Sequence, residues 1–353
     1  KKMSLLFLIL FFVCLGVVGL LSYLLYLKHT SPMASYPKGT FRHSLVVITG
    51  SNTGIGLETA RAMAIDGATV IIACRNRKKA IEAIADISKS HASADVHFIP
   101  LDLGNKASIE AFALALHNSF TRDRPLDILI NNAGAMLVNN MQGMWTINHA
   151  GHHYLVELLV PQFKSRGGKI IILSSFTHYT GQPNLVNKKL SDYVFTTNSD
   201  STVKQYAFTK LCNVWHALEL HRRYHLQSPK DTYVFPKDVG MYDVEGNSLT
   251  STPPSPTRDT LPDQLSINVL HPGSVGTSIS TTNNFLPPLF QPLMPLALFF
   301  MIGPEAGAQT SLTAAAQRPS ISGSYFDHCA QRDDLLKEEA RSIQRATELW
   351  DMT

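Results

Sequence analysis

The chain has 353 residues, 44% of them hydrophobic and 16% charged, with a net charge of +4 at pH 7. This length allows one large α/β core or two small domains. The small, unclustered charge predicts no nucleic-acid partner, and four cysteines without ligand or disulfide spacing predict neither a metal site nor a disulfide framework.

The N-terminal segment predicts a membrane anchor. Met3 to Leu27 is a run of 25 residues without a charge, and as a helix it would span ~37 Å, more than the ~30 Å of a bilayer core. A cleaved signal peptide is the alternative, but the run is longer than a typical h-region and no convincing cleavage site follows it. We expect a single-pass anchor at 3–27 and a linker at 28–43. Lysines flank both ends of the span and leave its orientation open.

The first predicted strand, Leu45 to Ile48, runs into a glycine turn. Gly50, Gly54 and Gly56 follow it in a Gly-x-x-x-Gly-x-Gly pattern, and an amphipathic helix pattern continues to Ile65. Glycines allow close backbone approach and a helix N-terminus attracts phosphate, so a strand, a glycine turn and a helix together predict a dinucleotide site. An ordinary glycine turn is the alternative.

The second predicted strand, Thr69 to Ala73, bears on the choice of cofactor. An acidic residue after this strand would bind the ribose 2′-hydroxyl of NAD, but the chain continues with Cys74-Arg75-Asn76-Arg77. Arg75 is suited to a 2′-phosphate and favours NADP, the alternative being a surface arginine at a helix start.

Four more strands alternate with helix patterns, so we predict an α/β, Rossmann-type doubly wound, mostly parallel sheet with helices on both faces. Polar or small residues follow each strand, at the sheet edge where such folds bind ligands. The strands are Val96 to Leu101, Leu126 to Ile130, Lys169 to Leu173 and Leu265 to Leu270, followed by Asp102-Leu103, Asn131-Asn132-Ala133-Gly134, Ser174-Ser175 and His271-Pro272-Gly273.

A tyrosine and a lysine share one face of a predicted helix. Tyr206 and Lys210 are four residues apart, and a cation beside a phenol favours phenolate, which would lower the tyrosine pKa from ~10 towards the working range. Tyr233 and Lys237 have the same spacing, but Pro236 lies between them and removes the helical face. A solvated helix face is the other interpretation of the first pair.

Two segments depart from the alternating pattern. Residues 228–264 are polar and rich in proline, which predicts a surface insertion. Residues 285–302 are apolar with four prolines, which predicts an apolar lid at the active-site edge or on the bilayer, or else a helix packed on the core. We expect the catalytic domain to span 44–327 and a C-terminal tail helix to occupy 328–353.

In order and spacing, these motifs resemble the short-chain dehydrogenase/reductase family over roughly Ser44 to Asp327. The segments Ala73-Cys74-Arg75-Asn76, Ile147-Asn148-His149-x-Gly151-His152 and Lys210-Leu211-Cys212-Asn213 resemble its retinol dehydrogenase-like branch. Glu219-Leu220-His221-Arg222-Arg223 and Gly323-Ser324-Tyr325-Phe326 are similar to the WW-domain-containing oxidoreductase-like branch. Ser175 and Tyr206 are 31 positions apart, more than the branch usually has.

The resemblance implies four catalytic residues. Tyr206 would be the acid/base, Lys210 would bind the nicotinamide ribose, Ser175 would bond the substrate oxygen, with Ser174 as the alternative, and Asn148 would hold a relay water. The implied cofactor contacts are Gly50, Ser51, Asn52, Thr53, Gly54, Ile55, Gly56, Arg75, Asp102, Leu103, Asn132, Ala133, Gly134, Tyr206, Lys210, Pro272, Gly273, Val275 and Thr277.

We therefore expect a membrane-anchored, NADP(H)-dependent oxidoreductase that interconverts an alcohol and a carbonyl on a lipophilic substrate, a retinoid first and a steroid or lipid aldehyde next. Expected partners are this small molecule, membrane lipid and a second copy of the chain. The expected location is the endoplasmic reticulum membrane with the catalytic domain facing the cytosol. The alternative is a catalytically silent, membrane-tethered interaction protein on the same fold.

Overall fold

A computed structural model of the chain describes residues 18–19, 21–22, 25, 30–137, 140–163, 166–183, 189–196, 200–226, 264–276, 301–318 and 321–353. The predicted anchor at 3–27, the insertion at 228–264 and the lid at 285–302 lie almost wholly outside these residues. Among the described residues, no helix has both the length and the hydrophobicity needed to cross a bilayer.

The described strands form one sheet in the order β3-β2-β1-β4-β5-β6-β7-β8. All neighbours are parallel except β7 and β8, which pair antiparallel. The predicted doubly wound α/β fold is confirmed, and β1 to β6 lie within three residues of the predicted bounds. The strands are β1 Leu45–Thr49, β2 Thr69–Cys74, β3 Asp95–Pro100, β4 Ile128–Asn131, β5 Arg166–Leu173, β6 Gln264–His271, β7 Ser324–Asp327 and β8 Ala330–Gln331.

Helices cover both faces of this sheet. They are α1 Gly54–Ile65, α2 Arg77–Ser90, α3 Lys106–Leu116, α4 Met141–Trp145, α5 Gly151–Leu159, α6 Leu190–Thr196, α7 Thr202–His221, α8 Pro304–Ala316 and α9 Ile343–Met352. A π-helical turn, Thr146–Ala150, joins α4 to α5. Side-chain N-caps start several of them: Asn76 accepts a hydrogen bond from the Lys79 amide at the start of α2, for example.

The central strands are buried on both faces, which explains their continuous apolar sequences. Along β1, Leu45 and Val47 enter a core shared with α3, α5, α7 and α9. Val46 and Ile48 enter a second core shared with α1, α2 and α8. Because side chains alternate along a strand, one apolar run supports both layers of helices and aligns the carboxyl ends of the strands.

Strands β7 and β8 extend the sheet beyond the six strands expected. The four residues of β7 follow Gly323, whose φ of +77° is left-handed. A Cβ there would lie 2.6 Å from the His221 ring. A strand this short gives little periodicity in the sequence, and its position depends on pairing with β6. In the tail, β8 precedes the expected helix, which occupies Ile343–Met352.

Helix α9 packs against buried histidines. The Trp350 ring lies 4.5 Å from His153 and 6.0 Å from His216, centroid to centroid. His216 in turn lies 5.3 Å from His149. Burial lowers the pKa of His149 and His216 well below the ordinary value and lowers that of the neighbouring His152 to about 3. These imidazoles are therefore neutral at physiological pH.

We expect the free energy of unfolding to fall as the pH drops from ~6.5 towards ~4. The folded chain keeps these histidines neutral, whereas the unfolded chain binds protons at ordinary histidine pKa values, so acid favours unfolding by about 1.4 kcal/mol per unit of pKa difference at each site. Urea titrations from pH 7 to pH 4.5 measure the effect. His216→Phe, which removes one titrating ring, should flatten the slope, and an unchanged slope would contradict this assignment.

Candidate active site

Strands β2 and β3 lie on one side of β1, and β4 and the later strands lie on its other side, so the strand order reverses between β1 and β4. Thr49 joins the carboxyl ends of these two strands. Its Oγ1 accepts hydrogen bonds from the amides of Asn132 and Ala133 at 3.0 and 2.9 Å. The Asn132 side chain returns a bond to the Thr49 carbonyl at 2.7 Å. Sequence analysis assigned no role to Thr49, the last residue of β1 before Gly50. The threonine fixes the edge where doubly wound folds bind nucleotides.

Gly50 and Gly56 of the turn have no space for a side chain. Gly50 and Gly54 have φ values of +66° and +62°. A Cβ on Gly50 would lie 2.9 Å from the Ala133 Cα, and one on Gly56 would lie 2.9 Å from the Gly50 carbonyl and overlap the Asn132 amide. The three glycines therefore contribute only backbone to the cavity wall beside the N-terminus of α1, and this fits a pyrophosphate.

Two adjoining cavities meet at this turn and share Gly50, Asn52, Ala133 and Gly134. The main cavity, about 490 Å³, contains most of the predicted site residues. They are Thr53, Gly54, Ile55, Gly56, Asn132, Ser175, Tyr206, Lys210, Pro272, Gly273 and Val275. The second cavity, about 280 Å³, is lined by Arg75, Asp102 and Leu103.

Two of the described site residues that were predicted, Ser51 and Asn148, line neither cavity. The Ser51 hydroxyl is buried and donates to the Ile48 carbonyl at 2.7 Å, so it supports the turn from behind. Asn148 is fully buried. Thr277 lies outside the described residues.

Tyr206 and Lys210 project together from α7, as predicted from their spacing. The Lys210 Nζ lies 5.6 Å from the centroid of the Tyr206 ring and donates to the Leu173 carbonyl at 3.2 Å. Burial lowers the pKa of Lys210 to about 8 and raises the pKa of Tyr206 above its ordinary value. The expected lowering of the Tyr206 pKa by its neighbour is therefore not seen. Loss of hydration at the phenol outweighs a cation that is directed towards a backbone carbonyl.

Both serines after β5 line the main cavity, but their hydroxyls have different partners. Ser174 is buried and its hydroxyl donates to the Lys210 carbonyl at 2.7 Å. Ser175 lines the main cavity, and its Oγ accepts a 3.3 Å bond from the Thr177 amide as the N-cap of the 3₁₀ helix Phe176–Thr180. Because that bond uses a lone pair, the Ser175 hydroxyl keeps its hydrogen for a ligand in the cavity.

Asn148 lies in the π-helical turn, a type of irregularity that is frequent at functional sites. Its side chain bonds both backbone groups of Ala135, at 2.7 and 2.8 Å, and the Thr209 hydroxyl at 3.0 Å. Its carbonyl bonds His152 Nδ1 at 3.2 Å, and His152 Nε2 reaches Thr49 at 2.9 Å. Asn148 therefore ties the loop after β4 to α7, and its role with a relay water stays a prediction.

Sequence analysis missed a second cation in the second cavity. Lys79, in the first turn of α2, lines this cavity with Arg75 and Asn76. Asp102 also lines it, and its Oδ1 accepts a 2.9 Å bond from the Gly104 amide. The basic run Arg77-Lys78-Lys79 is visible in the sequence. Which of its side chains reaches the cavity depends on the residue at which α2 begins, and the sequence pattern does not fix that residue.

Comparisons with known proteins agree with this geometry. A family model described as short chain dehydrogenase matches residues 44–187. The WW domain-containing oxidoreductase of Pongo abelii is 30% identical over 88% of this chain and 67% of that protein. Retinol dehydrogenase 12 of Mus musculus is 30% identical over 88% of this chain and 84% of that protein. L-sorbose reductase from Gluconobacter frateurii, solved with NADPH and L-sorbose, has a similar fold, with a TM-score of 0.55 at 19% identity over 81% of this chain and 94% of that one.

The glycine turn Gly50–Gly56 and the adjoining loop Asn132–Gly134 form a cradle for a nucleotide, with a tyrosine, a lysine and a serine beside it. With the relatives just described, this site defines an oxidoreductase of the Rossmann class that acts on CH–OH groups with a nicotinamide cofactor. Its relatives place it more narrowly. The chain belongs to the short-chain dehydrogenase/reductase family, in the retinol dehydrogenase-like branch. The resemblance found in the sequence is confirmed.

Replacing Thr49 should loosen the edge of the sheet that carries the cradle. Thr49→Val keeps the shape but leaves two amides without their acceptor, and we expect it to lower the free energy of unfolding by about 2–4 kcal/mol. Thr49→Ser keeps the hydroxyl and should lose only about 1 kcal/mol, from the missing methyl group. Urea unfolding compares the two, and equal losses would show that the hydroxyl contributes nothing.

Proposed function

We propose that the protein is a membrane-anchored, NADP(H)-dependent oxidoreductase that interconverts an alcohol and a carbonyl on a lipophilic substrate, a retinoid first and a steroid or lipid aldehyde next. The observation that carries the proposal is the presence of Ser175, Tyr206 and Lys210 in one cavity with the glycine turn. The retinol dehydrogenases among the relatives support a retinoid, and the apolar run at 3–27 supports the anchor.

The side chains suit proton transfer to a carbonyl. A nicotinamide cofactor, when bound, supplies or accepts the hydride. The Ser175 hydroxyl is free to donate to the substrate oxygen, and Tyr206, whose raised pKa keeps it protonated, can give its proton to that oxygen in the reductive direction. The resulting phenolate lies beside Lys210, which remains largely an ammonium at pH 7 with a pKa of about 8. In the oxidative direction, the same phenolate accepts the alcohol proton.

The wall of the main cavity supports an apolar substrate. Phe176 is 50% exposed and Val203 is 37% exposed, and both line the cavity with Met136 and Met301. Met301 lies in the segment 285–302 for which an apolar lid is predicted. Exposed apolar side chains around a few polar groups are typical of sites for hydrophobic ligands.

The second cavity supports NADP(H) over NAD(H). No carboxylate follows β2 directly in the sequence, and Arg75 and Lys79 both line the cavity. Two cations at this position suit a 2′-phosphate, which carries more charge than a ribose hydroxyl.

Tyr206→Phe should abolish turnover and leave NADPH binding nearly unchanged, because it removes the proton and keeps the ring. NADPH fluorescence gives the binding constant. NADPH oxidation with a panel of retinal, steroid ketones and lipid aldehydes gives the rate. Tyr179→Phe is the control, since this tyrosine does not line the main cavity. Wild-type binding without turnover of any panel member would favour the silent interaction protein, and activity of Tyr206→Phe would refute the assigned acid.

Arg75→Ala should weaken NADPH by ten- to a hundredfold, about 1.5–3 kcal/mol for hydrogen bonds to a charged group, and NADH far less. Lys79→Ala should act in the same direction. Arg77→Ala removes a neighbouring exposed charge that does not line the cavity and serves as the control. Equal losses for the two nucleotides would show that Arg75 does not contact the phosphate.

A further inference from the structure

Two buried histidines that the reaction does not use bond the same peptide group beside Ser175. His178, 1% exposed, lies in the 3₁₀ helix after β5, and its Nδ1 is 2.6 Å from the Ser175 carbonyl oxygen. His271, 6% exposed, ends β6, and its Nδ1 accepts from the Phe176 amide at 3.2 Å. The Ser175 carbonyl and the Phe176 amide are the two ends of one peptide bond.

The partners of these rings determine their tautomers. A carbonyl oxygen can only accept, so His178 must carry its proton on Nδ1. A backbone amide can only donate, so His271 must have an unprotonated Nδ1 and carry its proton on Nε2. Burial lowers the pKa of His178 and lowers that of His271 to about 4, so both rings are neutral. The two imidazoles therefore present opposite tautomers to one peptide plane.

We propose that His178 and His271 are positioning residues that clamp the Ser175–Phe176 peptide and thereby orient the Ser175 hydroxyl and the Phe176 ring in the main cavity. This inference rests on the proposed function, in which Ser175 bonds the substrate oxygen.

The surrounding geometry shows why this peptide needs such a clamp. Phe176 is the first residue of a 3₁₀ helix, where the amide has no acceptor within its own helix. His271 supplies that acceptor from the neighbouring strand and also holds the Phe176 ring edge-on, at 5.5 Å between centroids. The Ser175 carbonyl accepts from the His178 amide at 3.0 Å as well as from the ring. Rotation of this peptide would turn both Ser175 and Phe176 away from their places in the cavity.

Paired variants test the clamp. His271→Asn keeps an acceptor near the Nδ1 position and His178→Asn keeps a donor there, whereas His271→Phe and His178→Phe keep only a ring. We expect the phenylalanine variants to lose at least about tenfold in kcat with little change in KM for NADPH. A displacement of a hydrogen-bonding group by about 1 Å is enough to lower the rate by this factor or more. The asparagine variants should recover kcat to within about threefold. His216→Phe, a buried histidine with both ring nitrogens unbonded and away from the cavity, is the matched control and should keep wild-type kcat.

A spectroscopic test does not depend on activity. Long-range ¹H–¹⁵N spectra of ¹⁵N-histidine-labelled wild-type protein, assigned with the asparagine variants, should show His178 protonated at Nδ1 and His271 at Nε2. Any other pair of tautomers would overturn the clamp, as would asparagine variants as impaired as the phenylalanine ones or phenylalanine variants with wild-type kcat. The proposed function fails separately, if wild-type protein turns over no panel substrate. In that case, or if a phenylalanine variant does not fold, the tautomers of His178 and His271 in the wild-type protein still decide whether the clamp exists.

Discussion

The hydrogen bonds of Thr49 are the constraint on which the site depends. A parallel sheet brings the ends of β1 and β4 side by side, but the chain after each strand is irregular and could diverge. One hydroxyl accepts from two successive amides of the β4 loop, and the Asn132 side chain bonds back to β1. The adjacent Gly50 can then approach Ala133 more closely than any side chain would allow. The cradle is thus built from backbone atoms held by two side chains.

The same threonine connects the glycine turn to the helix that carries Tyr206 and Lys210. His152 bridges the Thr49 hydroxyl and the Asn148 carbonyl, and the Asn148 side chain reaches Thr209, next to Lys210 in α7. This bonded path runs through buried groups, where an unsatisfied partner is costly. The cradle and the tyrosine–lysine pair are therefore parts of one hydrogen-bonded unit, although Thr49 and Tyr206 are 157 positions apart in the sequence.

Much of this could be predicted from the sequence, because buried parallel strands and glycine turns have strong local patterns. Strands β1 to β6 and the Tyr206–Lys210 pair follow from such patterns. The properties that depend on packing could not be predicted. β7 is too short to show a period, the acceptor of Lys210 Nζ is the carbonyl of another element, and the pKa of Tyr206 depends on how much water the folded chain excludes. His178 and His271 flank recognisable motifs, but their bonds to one peptide exist only in the folded chain.

Helix α7 has two faces with different tasks. One carries Tyr206 and Lys210 into the cavity, while the other buries Trp215 and His216 against the C-terminal tail, where the Trp215 indole donates to the Glu339 carbonyl at 3.0 Å. The C-terminal tail therefore packs against the same helix that carries Tyr206 and Lys210 into the cavity. The last described helix is thus part of the support for the cavity, although the side chains that line the cavity all come from elements that precede it along the chain, none later than Met301.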